Sequence, residues 1–197
     1  MAYIANTAFQ PLVTNHEFDS TLNITGLFTT DGDSANGSVC SAGFLAKKSA
    51  QLENEGYTGI YNVNTWTMIA AESTDLVSEP IYACNTFNVN QATDGAGNVY
   101  KVGANTLGLA VPAGERSTFT KIVFDGNHIY RFGIGNIDGT LGANTFLTID
   151  DGLLSPGATA PATNGVPYFT VIGSGTFTQG AYDAFGYVDV VACVAVA

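Results

Sequence analysis

Short apolar runs recur along this chain about every ten residues, separated by Gly, Asn, Asp and Pro. Most of the runs are rich in Val, Ile, Thr, Tyr and Phe, residues that favour β-strands, and several alternate apolar and polar side chains. Helical periodicity is almost absent. About ten short strands at this spacing predict an all-β fold, an antiparallel β-sandwich of the jelly-roll or Greek-key kind.

The composition favours the same class. Glycine accounts for 23 of the 197 residues, and charged residues make up only 12% of the chain, against about 25% in an average soluble protein. Polarity is carried by Thr, Asn and Ser instead. Because surface helices usually depend on Glu, Lys and Arg, this balance indicates strands and turns.

Two local patterns give sharper expectations. Residues 47–56 (KKSAQLENEG) are the best helical candidate, a turn or two ending at Gly56, with a loop as the alternative. The runs 115–124 and 128–135 flank the turn Asp-Gly-Asn, whose Gly126 tolerates a positive φ. We therefore expect these two runs to pair as a β-hairpin.

The chain divides into an arm and a domain. Residues 1–20 are apolar side chains spread among Asn, Thr and Pro with no period, which predicts an extended N-terminal arm. Residues 21–197 then form a single β-sandwich domain, with a possible sub-boundary near 57–63. The Pro/Gly/Ala/Thr-rich segment 150–167 is the leading candidate for a functional or mobile loop.

The C-terminal run GYVDVVACVAVA, residues 186–197, is apolar on both alternating faces apart from Asp189. A half-exposed edge strand of this kind would invite aggregation, and the run is too short to span a membrane as a helix. It is therefore expected to be a central strand, hydrogen-bonded on both sides and covered on both faces, either within one sandwich or partly by a neighbouring subunit.

Charge and cysteine content exclude several classes of function. Six Lys and Arg against 17 Asp and Glu give a net charge of -11, so nucleic acid and anionic membranes are poor partners. Cys40, Cys84 and Cys193 have no metal-binding or disulfide spacing, which predicts reduced thiols. The N-terminus has no features of a secretory signal, so synthesis in a cytoplasm without a signal peptide is expected.

No motif for catalysis or cofactor binding survives inspection. Residues 31–37 (DGDSANG) lack the closing Glu of a calcium loop, and 133–139 (GIGNIDG) has the wrong spacing for a phosphate loop. His16 and His128 lie beside acids, but neither is accompanied by a nucleophile motif. The sequence thus predicts no enzyme activity, no cofactor and no metal.

Aromatic residues form two sequence clusters that would suit a sugar-stacking platform, although ordinary core packing explains them more simply. The first and denser cluster consists of Tyr57, Tyr61 and Trp66, and the second of Tyr182, Phe185 and Tyr187.

An acidic chain that opens MAYIANTAFQPLV and continues with NGSVCSAGFLAKKSAQLENEGY, NTWTMIAA, NHIYRFGIGNI and VPYFTVIGSGTF resembles the head-decoration or head-fibre proteins of tailed bacteriophages. The resemblance spans most of the chain and lies in its organisation and texture. It implies a non-enzymatic, β-rich auxiliary capsid protein on the outer surface of a virion. The implied partner is the major capsid protein, and the implied oligomer is a homotrimer.

The apolar arm is the expected contact with the shell or with a neighbouring protomer, through Tyr3, Ile4, Phe9 and Leu12. A second hypothesis is a receptor- or glycan-binding module of a phage tail or fibre, which would use Tyr57, Tyr61 and Trp66. A third, a lyase or hydrolase, would require clustered carboxylates facing a groove.

Overall fold

The computed structural model describes residues 2–3, 7, 9–13, 22–30, 37–53, 59, 61–75, 77–85, 91–93, 99–101, 109–178 and 184–196. Apart from a 3-10 turn at Ile134–Asn136, the regular structure in these ranges consists of β-strands, which confirms the all-β prediction. The strands are β1 (Ala2–Tyr3), β2 (Phe9–Val13), β3 (Asn23–Phe28), β4 (Cys40–Ser41), β5 (Leu45–Glu53), β6 (Tyr61–Ala70), β7 (Ile81–Asn85), β8 (Gln91–Thr93), β9 (Val99–Lys101), β10 (Leu109–Val111), β11 (Ser117–Lys121), β12 (Ile129–Gly133), β13 (Phe146–Asp150), β14 (Leu153–Gly157), β15 (Pro167–Thr178) and β16 (Ala184–Val194).

Five strands close into a small barrel in the order β11-β3-β6-β5-β7. Strands β3 and β6 run parallel, and the other neighbours are antiparallel. Large side chains, among them Met68 and Phe119, fill the interior. A Cβ on Gly26 would lie 2.4 Å from Cγ of Met68 and 2.7 Å from Cδ2 of Phe119, so only glycine fits at this position.

Six strands form an antiparallel sheet in the order β14-β13-β15-β16-β12-β2. One face of this sheet is fully buried and carries the largest core cluster. The strand residues in that core include Tyr130, Phe132, Leu147, Phe169 and Val190. Two smaller sheets, β1-β10-β4 and β8-β9, complete the pairings.

Strands β5 and β7 join the barrel to the six-stranded sheet, because β7 and the first two residues of β5 contribute side chains to both cores. In β7, Tyr82 and Cys84 belong to the barrel interior, whereas Ile81 and Ala83 belong to the core beneath the six-stranded sheet. In β5 the adjacent residues Leu45 and Ala46 divide in the same way. The barrel wall and the sheet are therefore two packed layers of one continuous structure.

The prediction of a helix or loop over 47–56 is wrong for most of that segment, because residues 45–53 form β5. The Lys, Gln and Glu content is typical of a helix, but pairing with β6 and β7 supplies the backbone hydrogen bonds instead. Two register shifts in the β5–β6 ladder accommodate the stretch around Gln51.

The predicted hairpin between 115–124 and 128–135 is also wrong. The turn itself exists, with Gly126 at φ 78°, but β11 pairs with β3 and β7 whereas β12 pairs with β16 and β2. The chain therefore uses this turn to pass from the barrel to the six-stranded sheet rather than to fold back.

The predicted long loop 150–167 is shorter than expected. Leu153–Gly157 forms β14, which pairs with β13 through a tight turn in which Asp151 and Gly152 have φ of 45° and 74°. Edge strand β14 also accepts a hydrogen bond from the amide of Asp138 at the carbonyl of Leu154, over 2.9 Å. Within this segment, backbone outside the strands is limited to the turn at residues 151–152 and to residues 158–166.

The C-terminal run is a central strand, as predicted. Residues 184–194 form β16, which lies between β15 and β12 and pairs with both. Val188, Val190 and Ala192 are completely buried. The opposite face of the strand is only half-buried, so the expectation that the domain itself covers both faces is wrong. Cover by a neighbouring subunit stays a prediction.

Within the predicted N-terminal arm, the described segments are strands of the fold. β1 pairs with β10, and β2 forms an edge of the six-stranded sheet beside β12. Phe9 is 6% exposed and its ring stacks 5.9 Å from Tyr130. This part of the arm therefore lies on its own domain.

Deleting residues 190–197 should abolish folding, because it removes the half of β16 that holds β12 to β15. We expect an insoluble chain, or a soluble one without a cooperative thermal transition by circular dichroism. A chain ending at Ala195 is the control, since the Ala195 amide still donates to the Val166 carbonyl and the Ala195 carbonyl still accepts from the Gly165 amide. A soluble deletion with native spectrum and transition would contradict the central role of β16.

Candidate functional site

The side of the six-stranded sheet that faces away from the core is the leading candidate for a functional surface. Strand register places its side chains together, since Arg131 pairs with Asp189, Ile129 with Val191, and Tyr168 with Cys193. All are half-buried. We call this surface the outer face, and define it by Ile129, Arg131, Phe146, Tyr168, Thr170, Tyr187, Asp189, Val191 and Cys193.

An ion pair between neighbouring strands lies on the outer face. Nε of Arg131 donates to Oδ1 of Asp189 over 2.7 Å, and Nη2 donates to Oδ2 over 2.8 Å. The ring of Tyr187 lies on the guanidinium, with its centroid 3.8 Å from Cζ. Hydrogen bonding to Asp189 raises the pKa of Arg131. The bidentate geometry fixes both charges and cancels them.

Glycines in β15 allow Tyr187 to lie flat across the sheet. Gly175 is opposite Tyr187, and a Cβ at Gly175 would lie 2.8 Å from the phenolic oxygen. Gly173 is opposite Asp189, and a Cβ there would have no heavy atom within 4 Å. The surface beside the ion pair is therefore low and open.

The opposite end of the outer face is aromatic and apolar. The rings of Phe146 and Tyr168 are 6.1 Å apart, and Thr170 Oγ1 lies 3.8 Å from the Cys193 sulfur. Desolvation is the main reason that the pKa of Tyr168 is raised. With Val191, these side chains make a contiguous patch suited to contact with another apolar surface.

A second polar centre stabilises the turn between the barrel and the six-stranded sheet. Oδ1 of Asp125 lies 2.8 Å from Nδ1 of the buried His128 and accepts the backbone amides of Asn127 and His128. Desolvation opposes ionisation, but hydrogen bonds from His128 and the two amides lower the pKa of Asp125 to about 2. The amide of Val123 donates to the hydroxyl of Tyr130 over 3.0 Å.

A third polar centre pairs Lys47 of strand β5 with an acidic side chain. Lys47 donates to Asp75, which is 6% exposed and also accepts the amide of Glu72 over 2.8 Å. The hydrogen bond with Asp75 is the main cause of a raised pKa for Lys47. Both this centre and the Asp125 turn stabilise the fold, and neither places a nucleophile beside a base.

Of the residues predicted for the arm interface, Phe9 and Leu12 have described side chains, and these two do not share an exposed surface. Phe9 is in the core, so its side chain is not available to a partner, and Leu12 is half-buried on edge strand β2. Ile4 and the side chain of Tyr3 lie outside the described residues.

Among the residues of the first aromatic cluster predicted to stack on a sugar, only Trp66 has a described side chain. Trp66 is half-buried against the barrel core, and Nζ of Lys48 lies over its ring at 4.4 Å from the centroid. Tyr57 and the side chain of Tyr61 lie outside the described residues. Of the second aromatic cluster, Tyr187 is on the outer face, whereas Tyr182 and the side chain of Phe185 are not described.

The outer face itself was not predicted from the sequence. Asp189, the single charge in the apolar C-terminal run, and Arg131, the single charge in HIYRFGIG, were the available indication. Each alternates with buried residues of its strand, which puts it on the side away from the core. Only the pairing of β12 with β16 brings the two together.

Within the described ranges, no three His, Cys, Asp or Glu side chains are grouped so as to hold a metal ion. The same ranges contain no helix with the length and apolar character of a membrane span. Comparisons of the chain with protein-family models, with curated proteins and with solved structures find no match.

The Arg131–Asp189 pair should contribute measurably to stability. In a double-mutant cycle with Arg131→Gln and Asp189→Asn, we expect a coupling free energy of about 1 to 2 kcal/mol, because the pair is bidentate and half-buried. Urea unfolding of the four proteins measures it. The exposed neighbours Glu115 and Arg116, changed to Gln, serve as the control cycle, with an expected coupling below about 0.5 kcal/mol. Equal couplings would refute a special role for the outer-face pair.

Asp125 should make the fold less stable in acid. Its folded pKa of about 2 lies below the ordinary aspartate value of 3.8, so its stabilisation is present above about pH 4 and is lost as the pH falls towards 2. Since the side chain is 40% exposed, we expect about 1 kcal/mol after solvent screening. Urea unfolding of the wild type and Asp125→Asn between pH 5 and 2 should show the difference shrinking in acid. A constant difference would contradict this origin.

Proposed function

We propose that this protein is a non-enzymatic structural protein that binds the surface of an assembled phage capsid, as a decoration protein. The observation that carries the proposal is the outer face, a half-buried, largely apolar surface on the central strands of a rigid sheet. Tyr, Phe and Arg are the residues enriched in protein interfaces, and all three occur on it.

The charge distribution supports a protein partner rather than nucleic acid. The whole chain carries a net charge of -11, but the charges of Arg131 and Asp189 cancel on the outer face. A surface of this kind binds through apolar contact and shape, whereas a phosphate backbone requires unpaired Lys or Arg. The surface of a capsid, built from repeated copies of the major capsid protein, is a partner of the required chemistry.

The virion setting is supported by the sequence. The low-charge, Thr/Asn/Gly-rich composition is typical of β-proteins that face the outside, and the chain resembles phage head-decoration and head-fibre proteins. A virion protein would be made in the host cytoplasm and released by lysis. The proposed oligomer is a homotrimer, and the proposed architecture is a jelly-roll or Greek-key sandwich in which the barrel wall and the six-stranded sheet are the layers.

The proposed capsid contact is the outer face, and the N-terminal arm expected from the sequence is not part of its centre. Phe9 is part of the core and cannot reach a partner without unfolding β2. Leu12, at the edge of the same sheet, remains a candidate for the rim of the contact. Tyr3 and Ile4 are close in sequence to Phe9 and Leu12, and this is their only remaining link to the proposed contact.

The alternative, a receptor- or glycan-binding module of a tail or fibre, has weaker support. A sugar stacks on an open aromatic face, but the Lys48 ammonium lies over one face of Trp66, and the ring also packs against the barrel core. Glycan binding that disappears in Trp66→Ala would nevertheless favour this alternative over decoration.

Placing a charge on the outer face should prevent capsid binding. Heads of the encoding phage that lack this protein would be incubated with purified wild type, with Tyr168→Lys, and with Val77→Lys as the control. Val77 is 40% exposed between β6 and β7 and is not one of the outer-face residues. We expect Tyr168→Lys to lose at least tenfold in affinity, because an unpaired ammonium would be desolvated in the contact, while Val77→Lys binds as the wild type does. Co-sedimentation with heads measures binding.

Two results would overturn the proposal. If wild-type protein fails to coat heads that lack it, the decoration function is wrong. If Tyr168→Lys coats heads as well as Val77→Lys does, the outer face is not the contact. Circular dichroism and the thermal transition of each variant must match the wild type, so that a loss of binding is not a loss of folding.

A further inference from the structure

Two of the three cysteines lie together inside the barrel, although they are distant in sequence. Cys40 is on β4 and is 1% exposed, and Cys84 is on β7 and is 0% exposed. Both belong to the cluster that fills the barrel interior. Both are free thiols.

The backbone holds the segment around Cys40 directly against Cys84. After Cys40 the chain turns, and the amide of Gly43 donates to the carbonyl of Cys84 over 2.9 Å. The amide of Cys84 donates in return to the carbonyl of Phe44 over 2.8 Å. Within this clamp the Cys40 and Cys84 thiols interact with each other. Each sulfur also lies near an oxygen, with Cys40 Sγ 3.8 Å from the Ser41 carbonyl and Cys84 Sγ 3.9 Å from Oγ of Ser117.

We propose that Cys40 and Cys84 are a latent disulfide pair, reduced when the protein is made and oxidised when it meets an oxidising medium. The oxidant is a small-molecule disulfide, such as oxidised glutathione. One cysteine thiolate attacks a sulfur of the oxidant and expels one thiolate, leaving a mixed disulfide. The other cysteine then attacks the protein sulfur of that mixed disulfide and expels the second thiolate. The protein loses two electrons and two protons, and the oxidant becomes two thiols.

The two strands differ in how readily they move to form the bond. A disulfide requires the sulfurs to approach to about 2.05 Å, which is closer than a hydrogen-bonding contact. Cys84 is held in β7, which is paired on both sides with β5 and β11. Cys40 is on a two-residue strand paired with β10, so β4 is the side that adjusts.

Burial controls how fast the pair is oxidised. Desolvation in the barrel raises the pKa of the Cys40 thiol, so the reactive thiolate is scarce in the closed structure. Oxidation should therefore require transient opening of the barrel. It should be slow in the native protein, and faster in sub-denaturing urea at raised pH.

Cys193 provides an internal control. It lies on the outer face of the six-stranded sheet, where its sulfur is 3.8 Å from Oγ1 of Thr170. Its strand partner is Tyr168, and the six-stranded sheet separates it from the barrel interior. Cys193 should remain a thiol, or take up one glutathione, while Cys40 and Cys84 pair.

The test uses the full chain with oxidised glutathione, in urea below the unfolding transition. We expect Cys193→Ser to lose two hydrogens in mass with no adduct, and peptide mapping to show one link between the Cys40 and Cys84 peptides. Closing this loop should raise Tm by about 10 °C, and dithiothreitol should reverse the rise. Cys84→Ser should take up glutathione without gaining stability.

If Cys84→Ser fails to fold, the peptide map of the unmutated chain still shows whether Cys40 and Cys84 form a disulfide. Links between Cys193 and either barrel cysteine, or glutathione adducts on Cys40 and Cys84 without a link, would overturn the proposal. So would the absence of any oxidation of the two residues, or a Tm that falls when the link forms.

Discussion

The structure depends on β7 and the start of β5, which contribute side chains to both cores. Because successive side chains of a strand point in opposite directions, Ile81 and Ala83 pack under the six-stranded sheet while Tyr82 and Cys84 fill the barrel. Neither core can be completed without the other. A strand segment covered on both faces has little room for charge, and residues 45–46 of β5 and 81–84 of β7 carry none. Lys47, the first charged residue after this segment of β5, is paired with Asp75.

The kind of secondary structure was predictable from the sequence, and the pairing of strands was not. Residues 115–124 and 128–135 contain strands joined by a turn at Gly126, as their pattern indicates. The pattern does not show that β11 finds its partners in β3 and β7, since those contacts join distant parts of the chain. The prediction of a helix or loop for residues 47–56 was wrong for a related reason. Tertiary strand pairing overrode a composition that favours a helix.

The candidate site was less predictable than the fold. A bidentate ion pair between Arg131 and Asp189 requires the register of β12 against β16, and the two residues are 58 positions apart. Local sequence shows only two lone charges on apolar strands. By contrast, the central position of β16 was predictable, because an apolar run on both faces has few stable locations other than the interior of a sheet. The burial of Phe9 in its own domain was not predictable, because an apolar segment without periodicity does not show which surface it covers.

The ion pair on the outer face has a consequence for recognition. Two hydrogen bonds and the ring of Tyr187 already fix the guanidinium of Arg131, so a partner would not have to immobilise it, and less side-chain entropy is lost on binding. The paired charges neither attract nor repel a second acidic surface. Elsewhere the net charge of -11 opposes close approach between copies of this chain. Under the proposed function, the outer face is therefore the surface where repulsion is weakest and where apolar fit selects the partner.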